Sequence, residues 1–324
     1  MRCCRRFCAS GDHFSLPFAS KTISTLSAGI VALAALAPIA LSCGCRALHC
    51  KTSDDGITAA RALSLQGMDA QQQGHWDQAE ALYAAAVDKC PTDERARCGY
   101  ADSLWRRGAE IEAIAHMEHA VRLSGDDPVR QIQLGRMYLA RGELNRALAA
   151  AGKAIAANKQ FAPAWALQGD VLRAEGDRGD ALASYHRALA YQDHYPEVQL
   201  AVSEMYSQQN RPERALATLQ SLADRYPPGQ IPSDVLYREG LVLRDLGRFR
   251  DAAISIARAT QRGQPSADML YELSRTQLLA GDASAARLAC LAALSANPQH
   301  AASQSLKLEL DGQQHRMAAV VEPR

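Results

Sequence analysis

Small apolar residues recur along this chain at a fixed interval of 34 residues, in four separate columns. Two columns hold glycine, with one alanine among them, and two hold only alanine. The glycine columns consist of Gly67, Ala101, Gly135 and Gly169, and of Gly74, Gly108, Gly142 and Gly176. The alanine columns consist of Ala79, Ala113, Ala147, Ala181 and Ala215, and of Ala86, Ala120, Ala154 and Ala188. Because four columns share one period, the pattern predicts a structural unit repeated in tandem.

Each unit is predicted to be two helices joined by a turn. The second glycine column suits the left-handed backbone conformation that ends a helix. The other small residues allow two helices to cross closely, since a larger side chain would hold them apart. Asp93, Asp127 and Ser233 lie just before or at predicted helix starts, where their side chains can cap free backbone N–H groups. One unit cannot bury its own apolar face, so consecutive units are expected to stack as a solenoid.

These residues resemble the tetratricopeptide repeat, a helix-turn-helix unit of the same length. Gly67 matches the small position of the first helix and Gly74 matches the turn. Tyr83 matches the second helix and Pro91 the closing proline, while the fourth repeat also has the family's tryptophan, as Trp165. The resemblance implies an all-α fold, a right-handed α-solenoid of about seven helix-turn-helix repeats with a C-terminal capping helix.

The repeats divide the chain into segments. They are predicted to start near Ala60, Glu94, Pro128, Ala162 and Pro196, and, after a proline-glycine break that shifts the register, near Ser233 and Ala267. The predicted organisation is an export signal or membrane anchor at 1–50, a linker at 51–59, five repeats at 60–227, a break at 228–232, two repeats at 233–300, a capping helix at 301–316 and a loose tail at 317–324.

The N-terminal segment is basic and then apolar, an order typical of an export signal. Four basic residues precede residues 22–41, which carry no charge. Cys43 and Cys45 follow small residues directly after this stretch, and the arrangement resembles a bacterial lipoprotein signal, which implies lipid modification of one of these cysteines. Three other interpretations stay open: an inner-membrane anchor formed by residues 22–41, since about 20 residues can span a bilayer, a signal that is simply cleaved, and a buried core helix.

Composition and motifs exclude several classes of function. Charge nearly cancels, with 36 basic and 35 acidic residues, which argues against a chain that coats nucleic acid. The repeats leave no room for a separate catalytic domain, and no nucleophile elbow, phosphate-binding loop or zincin motif occurs. We therefore expect a protein that is not an enzyme, with no cofactor, no metal site, no small-molecule substrate and no nucleic-acid partner.

Cysteine and histidine residues give weaker indications of a disulfide or a metal site. Six of the nine cysteines lie in the first 50 residues, which is unlike a disulfide framework. Cys90 and Cys98 either form a disulfide after export or remain separate thiols, and Cys290 occupies an apolar slot that predicts a packed thiol. His116 and His119 share one helix face, but no third metal ligand is evident, which favours a solvated pair.

The resemblance implies that the first helices line a concave groove that binds a protein or an extended peptide. The groove-facing columns are the second, fifth, ninth, twelfth and thirteenth positions of each repeat. Read onto this chain, they predict a partner-binding groove formed by Arg95, Asp102, Trp105, Arg106, Arg136, Asp170, Arg173, Glu204, Tyr237, Arg244, Tyr271 and Arg275. Arginine and aromatic side chains are common anchors at interfaces.

One known binding mode of the family does not fit this groove. Relatives that clamp the C-terminal carboxylate of chaperones use lysine and asparagine at the fifth and ninth positions. Here those positions hold Ser64 and Met68, Cys98 and Asp102, Ile132 and Arg136, and Ala166 and Asp170. The sequence therefore predicts no chaperone-tail adaptor of that type.

The sequence as a whole predicts a non-enzymatic interaction scaffold, exported and held at the cell envelope through its N-terminus. Lipoproteins with several such repeats resemble the pilotins that help assemble secretins or pili, which is a more specific alternative. A cytoplasmic adaptor, or a non-catalytic subunit of an enzyme complex, is the alternative in which the apolar N-terminal stretch is fortuitous.

Overall fold

The computed structural model describes residues 54–227 and 229–321, with side chains from 56 to 227 and from 229 to 312. All described residues belong to one unit, His49–Arg324. The predicted export segment and both candidate lipidation sites, Cys43 and Cys45, lie outside them.

The described part of the chain contains fifteen α-helices and no strand, which confirms the all-α prediction. The helices are α1 (Asp54–Gln72), α2 (Trp76–Lys89), α3 (Glu94–Arg107), α4 (Glu110–Leu123), α5 (Pro128–Ala140), α6 (Leu144–Ala157), α7 (Ala162–Glu175), α8 (Arg178–Tyr191), α9 (Pro196–Gln208), α10 (Pro212–Ala223), α11 (Ser233–Asp245), α12 (Phe249–Thr260), α13 (Ala267–Leu279), α14 (Ala283–Ala296) and α15 (Ala301–Val321). They pair in order along the chain, so seven helix pairs stack as a solenoid and α15 packs on the last pair.

The odd-numbered helices from α1 to α13 are the first helices of the repeats, and the even-numbered helices are the second helices. The first helices from α3 to α13 begin at the predicted residues. Two boundaries differ from the prediction. The first helix starts at Asp54 rather than near Ala60, and α15 continues to Val321, so the tail predicted from Met317 is helical in its first part. Methionine and alanine favour helices, and the next proline along the chain is Pro323.

Close helix crossing depends on the small columns, as predicted. The buried ring of Tyr83 lies against Gly67 of α1 and also against Gly99 of α3. Ile256 packs in the same way against Gly240. Each apolar cluster is formed by a run of helices that are consecutive along the chain. The core is therefore a continuous row of local clusters, as expected for a solenoid.

Turns and caps follow the sequence with one exception. Glycines of the turn column have positive φ, and Asn210 takes the same conformation in the fifth repeat, with φ 55°. Asp93 accepts a hydrogen bond from the Ala96 N–H at 3.1 Å and Asp127 one from the Arg130 N–H at 3.3 Å, which confirms both as N-caps. The cap predicted at Ser233 is wrong, because that residue is the first of α11 and its hydroxyl donates to a carbonyl of α12.

No helix among the described residues combines the length and the apolar character that crossing a membrane requires.

Candidate partner-binding face

The first helices together form one surface, termed the first-helix face below. At its centre, three predicted groove residues come together. Asp170 on α7 accepts a hydrogen bond from the Tyr185 hydroxyl at 2.7 Å. Burial raises the pKa of the Asp170 carboxyl above its usual range, and the Tyr185 hydrogen bond, Arg173 and Arg136 oppose that shift. Arg136 on α5 also interacts with the Tyr195 hydroxyl. A partly buried acid thus lies near two arginines from neighbouring first helices.

A second group of charges links three successive first helices. Glu204 on α9 lies between Arg173 of α7 and Arg238 of α11, with its Oε2 atom 4.0 Å and 3.2 Å from their Nη1 atoms. These three side chains are 37%, 45% and 40% exposed, in the same order. Their charges are therefore ordered by mutual contacts, yet remain accessible to a ligand. Exposed ion pairs of this kind contribute at most about 1 kcal/mol to folding, so a binding partner can replace them at small cost.

Predicted groove residues near the C-terminus are more engaged with the protein itself. Arg244 on α11 forms an ion pair with Glu272 on α13, and only 19% of its side chain is exposed. Tyr237 packs against an apolar cluster of α11 to α14. The ring of Tyr271 lies edge-on to His300, with centroids 5.6 Å apart. Tyr271 and Arg275 line a pocket of about 320 Å³ between α13 and α15.

Predicted groove residues near the N-terminus fall into two groups. Trp105 is partly buried against the core, and the guanidinium of Arg106 stacks over Trp76 at 3.8 Å from the ring centroid, so both are engaged within the fold. Burial raises the pKa of the Asp102 carboxyl, with Arg130 opposing the shift. Arg95 is exposed and lines an open pocket of about 600 Å³.

Several residues of this face lie outside the groove set predicted from the sequence. Arg238 lies outside the predicted columns because the proline-glycine break shifts the sixth repeat, although it follows Glu204 by one repeat length of 34 residues. Tyr195 immediately precedes α9 and is likewise outside the columns. Arg61 occupies the same second position as Arg95, one repeat earlier, so the column itself could have identified it.

The cysteines of the described part are free and buried: Cys90, Cys98 and Cys290. No disulfide joins Cys90 and Cys98 in the structure, and burial raises the pKa of the Cys98 thiol to about 12. The Cys290 thiol donates to the carbonyl of Ser303, as a packed thiol does.

Of the two histidines on α4, His116 is partly buried and engaged within the fold, whereas His119 is exposed. His116 lies edge-on to Tyr100, and its Nδ1 is 3.4 Å from the Arg97 guanidinium. Burial and the neighbouring Arg97 and His119 lower the pKa of His116. No group of three or more histidine, cysteine or acidic side chains within the described ranges is arranged to hold a metal ion.

Tetratricopeptide-repeat family models match residues 64–128, 172–231 and 237–301, which together make up more than half of the chain. The chain belongs to the tetratricopeptide repeat family. Members of this family bind proteins or peptides, and the fold is typically a non-catalytic scaffold. The residues matched include all of α9 and α13, most of α11 and only the last turn of α7.

Several solved structures have the same fold. A tetratricopeptide repeat protein from Parabacteroides merdae matches 78% of this chain and 98% of its own, with 15% identity and a TM-score of 0.56. PilW, a widely conserved type IV pilus biogenesis factor, matches 62% of this chain and 92% of its own, with 18% identity and a TM-score of 0.56. YrrB, described as having an unusual peptide-binding site, matches 59% of this chain and 97% of its own, with 20% identity and a TM-score of 0.50. No curated protein sequence matches the chain.

Proposed function

We propose that this tetratricopeptide repeat protein is a non-enzymatic scaffold that binds an extended segment of a partner protein on its first-helix face. The observation that carries the proposal is the contact chain Arg173–Glu204–Arg238, in which three successive first helices present half-exposed charges of both signs. These groups are already ordered, so binding does not require the receptor to order them first, and this lowers the entropic cost of association. YrrB, which shares the fold, has a peptide-binding site, and we extend that mode of binding to this chain.

Site-specific photo-cross-linking of the full-length protein in native membranes tests this proposal. We expect a cross-linker at Arg136 to capture a defined partner, and the substitution Glu204→Arg to reduce capture. Lys153, exposed on the second helix α6, is the matched control position. If Lys153 captures the same partner as efficiently, and Glu204→Arg leaves capture unchanged, the first-helix face is not the binding surface.

The proposal includes attachment to the cell envelope through the N-terminus. Its support is the uncharged stretch at 22–41, followed by Cys43 and Cys45, which lies outside the described residues. Intact-mass measurement of protein extracted from membranes separates the alternatives. A diacylglycerol-modified cysteine supports a lipoprotein, a full-length unmodified chain in the membrane fraction supports an inner-membrane anchor, and a wholly soluble full-length chain contradicts envelope attachment.

A pilotin-like lipoprotein that assists secretin or pilus assembly is a second candidate. The lipoprotein-like segment favours it, because such a protein must reach the outer membrane. PilW is a pilus biogenesis factor with the same fold, but the likeness concerns the fold alone at 18% identity. Deleting the gene and measuring heat-resistant secretin multimers in membranes tests this candidate, which an unchanged multimer level would contradict.

A further inference from the structure

An open pocket of about 600 Å³ lies at the N-terminal end of the first-helix face. Three first helices and the α2–α3 loop form its wall. The lining residues are Ile57, Arg61 and Ser64 of α1, Cys90, Thr92 and Asp93 of the loop, Glu94 and Arg95 of α3, and Arg130 of α5. Its floor and rim are thus rich in charged and polar groups, unlike the apolar core between the helices.

Both acids of the pocket are already engaged. The Nε of Arg130 donates to Glu94 Oε1 at 2.7 Å, and the Asp93 carboxylate caps α3 by accepting from the backbone N–H of Ala96 at 3.1 Å. By contrast, Arg61 and Arg95 are exposed and form no ion pair with any other residue in the described ranges. The pocket therefore offers two free guanidinium groups from consecutive first helices. Guanidinium groups match carboxylates in shape and hydrogen-bonding pattern, as the Arg130–Glu94 pair already shows here.

Ser64 provides a second, independent observation. Its side chain is only 1% exposed, and its hydroxyl has no hydrogen-bond partner. Buried polar groups in folded proteins are nearly always paired, because an unpaired one has lost its hydrogen bonds to water without replacement. Ser103, a buried serine of the neighbouring first helix, follows that rule and donates to the Gly99 carbonyl at 2.9 Å. The unused Ser64 donor among the pocket residues indicates a ligand that accepts a hydrogen bond.

The charges at the second position of the repeats differ in sign between the two ends of the first-helix face. The column holds Arg61 and Arg95 at the N-terminal end, and Glu197, Asp234 and Asp268 at the other, all of them exposed. An extended partner whose own charge is asymmetric fits this distribution in one orientation only, because like charges placed together repel. In that orientation, the acidic part of such a partner would lie against α1 and α3.

We propose that this pocket binds carboxylate groups of an acidic stretch in the partner polypeptide, held by Arg61 and Arg95 and by a hydrogen bond from the Ser64 hydroxyl. The inference rests on the proposed function, since it specifies the chemistry of the partner at one end of the first-helix face. The recessed, charged pocket favours a side chain that can enter it over a flat anionic membrane surface.

Fluorescence anisotropy with the full-length protein tests the inference. The probe is a labelled decapeptide of alternating glutamate and alanine with an amidated C-terminus, and its glutamine counterpart is the uncharged reference. We expect only the glutamate peptide to bind, and the double variant Arg61→Glu, Arg95→Glu to bind it at least about tenfold more weakly. High salt should weaken wild-type binding, because both arginines are exposed.

Two controls separate binding from folding and from net charge. Arg178→Glu with Arg258→Glu makes the same charge change at exposed positions on second helices, and we expect normal affinity. Ser64→Ala removes an unpaired buried hydroxyl, so it should leave thermal stability unchanged or higher while lowering affinity about tenfold. Ser103→Ala, which removes a paired hydroxyl, should lower stability and leave affinity unchanged.

Four outcomes overturn the inference alone. One is equal affinity of wild type and the double arginine variant for the glutamate peptide, and another is equal binding of the glutamine peptide. The third is that the free-acid peptide binds but the amidated one does not, which would assign the pocket to a C-terminal carboxylate. The fourth is that phosphatidylglycerol vesicles, but not the peptide, respond to the arginine substitutions, which would assign the pocket to a lipid surface. Partner cross-linking at Arg136 that persists in the double variant leaves the proposed function intact, whereas absence of cross-linking from the first-helix face of the wild-type protein contradicts both proposals.

Discussion

The ring of Tyr185 fills the space beside Gly169, while its hydroxyl hydrogen-bonds to Asp170, the next residue along α7. A Cβ added to Gly169 would lie 2.6 Å from the ring, and the hydroxyl lies 2.7 Å from Asp170 Oδ1. One side chain of the second helix therefore sets the helix crossing and also reaches the first-helix face. Packing and the candidate binding surface are coupled at this point.

Gly169→Ala should lower the free energy of unfolding by about 1–3 kcal/mol, because the added methyl group collides with the ring of Tyr185. Urea denaturation followed by circular dichroism measures the change. Gly152, exposed on α6 with open space around its Cα, is the matched control. Gly152→Ala should raise stability by up to about 1 kcal/mol, because alanine restricts the unfolded chain. Equal effects of the two substitutions would contradict the packing argument.

Asn210→Ala should destabilise the protein by about 1 kcal/mol, since alanine is strained in the left-handed conformation that Asn210 adopts with φ 55°. Asn210→Gly should be tolerated, because the other repeats have glycine at this turn. Thermal denaturation of both variants checks this order. Gln209→Ala, at the preceding residue with φ −87°, is the control and should have little effect. A stable alanine variant at 210 would show that the turn differs in solution.

Asp170→Asn should raise stability at neutral pH, because burial disfavours the charged carboxylate more than its neighbours favour it. The folded pKa of Asp170 lies above its ordinary value of 3.8. Between these two pKa values, the native state keeps the proton of Asp170 while the unfolded state loses it. Wild-type stability therefore falls as pH rises from 3.8 through the folded pKa of Asp170. The advantage of the asparagine variant should grow over that window and vanish below it.

Urea denaturation of both proteins from acidic to neutral pH measures this difference. Asp224→Asn, which removes one carboxylate at an exposed position after α10, is the matched control. A stability difference for Asp170→Asn that is constant with pH would mean that the carboxyl is not desolvated in solution.

The three thiols of the repeat region should resist alkylation in the native state. Burial raises the pKa of Cys98 to about 12, which leaves roughly one thiolate in ten thousand at pH 8. Cys90 and Cys290 are also buried. Peptide mapping after N-ethylmaleimide treatment should find these cysteines unmodified in buffer and modified in urea. Rapid native labelling of Cys98 would contradict its burial, and a mass two units lower for a peptide pair joining Cys90 and Cys98 would show that they are oxidised to a disulfide.

Much of the fold follows from the sequence because its determinants are local. Small residues, mostly glycine and alanine, lie where two helices cross, and the crossing recurs at each repeat, so one period in the sequence identifies the helix pairs. The start of α1 and the end of α15 were less predictable because, among the described helices, each of these two has a neighbour on one side only, and no column constrains their ends. The capping role assigned to Ser233 was wrong because the helix begins at that residue, which a sequence pattern resolves only to within a residue or two.

The sequence by itself determined the repeat, the helix pairs and the surface on which charged and aromatic residues collect. Only the tertiary structure decided which of these side chains meet: that Glu204 lies between Arg173 and Arg238, and that Arg61 shares one pocket with the buried hydroxyl of Ser64. The reason is physical. Helix formation and crossing depend on small residues that are close in sequence, whereas contacts between long side chains depend on how successive repeats are stacked, and that stacking is set by the whole core.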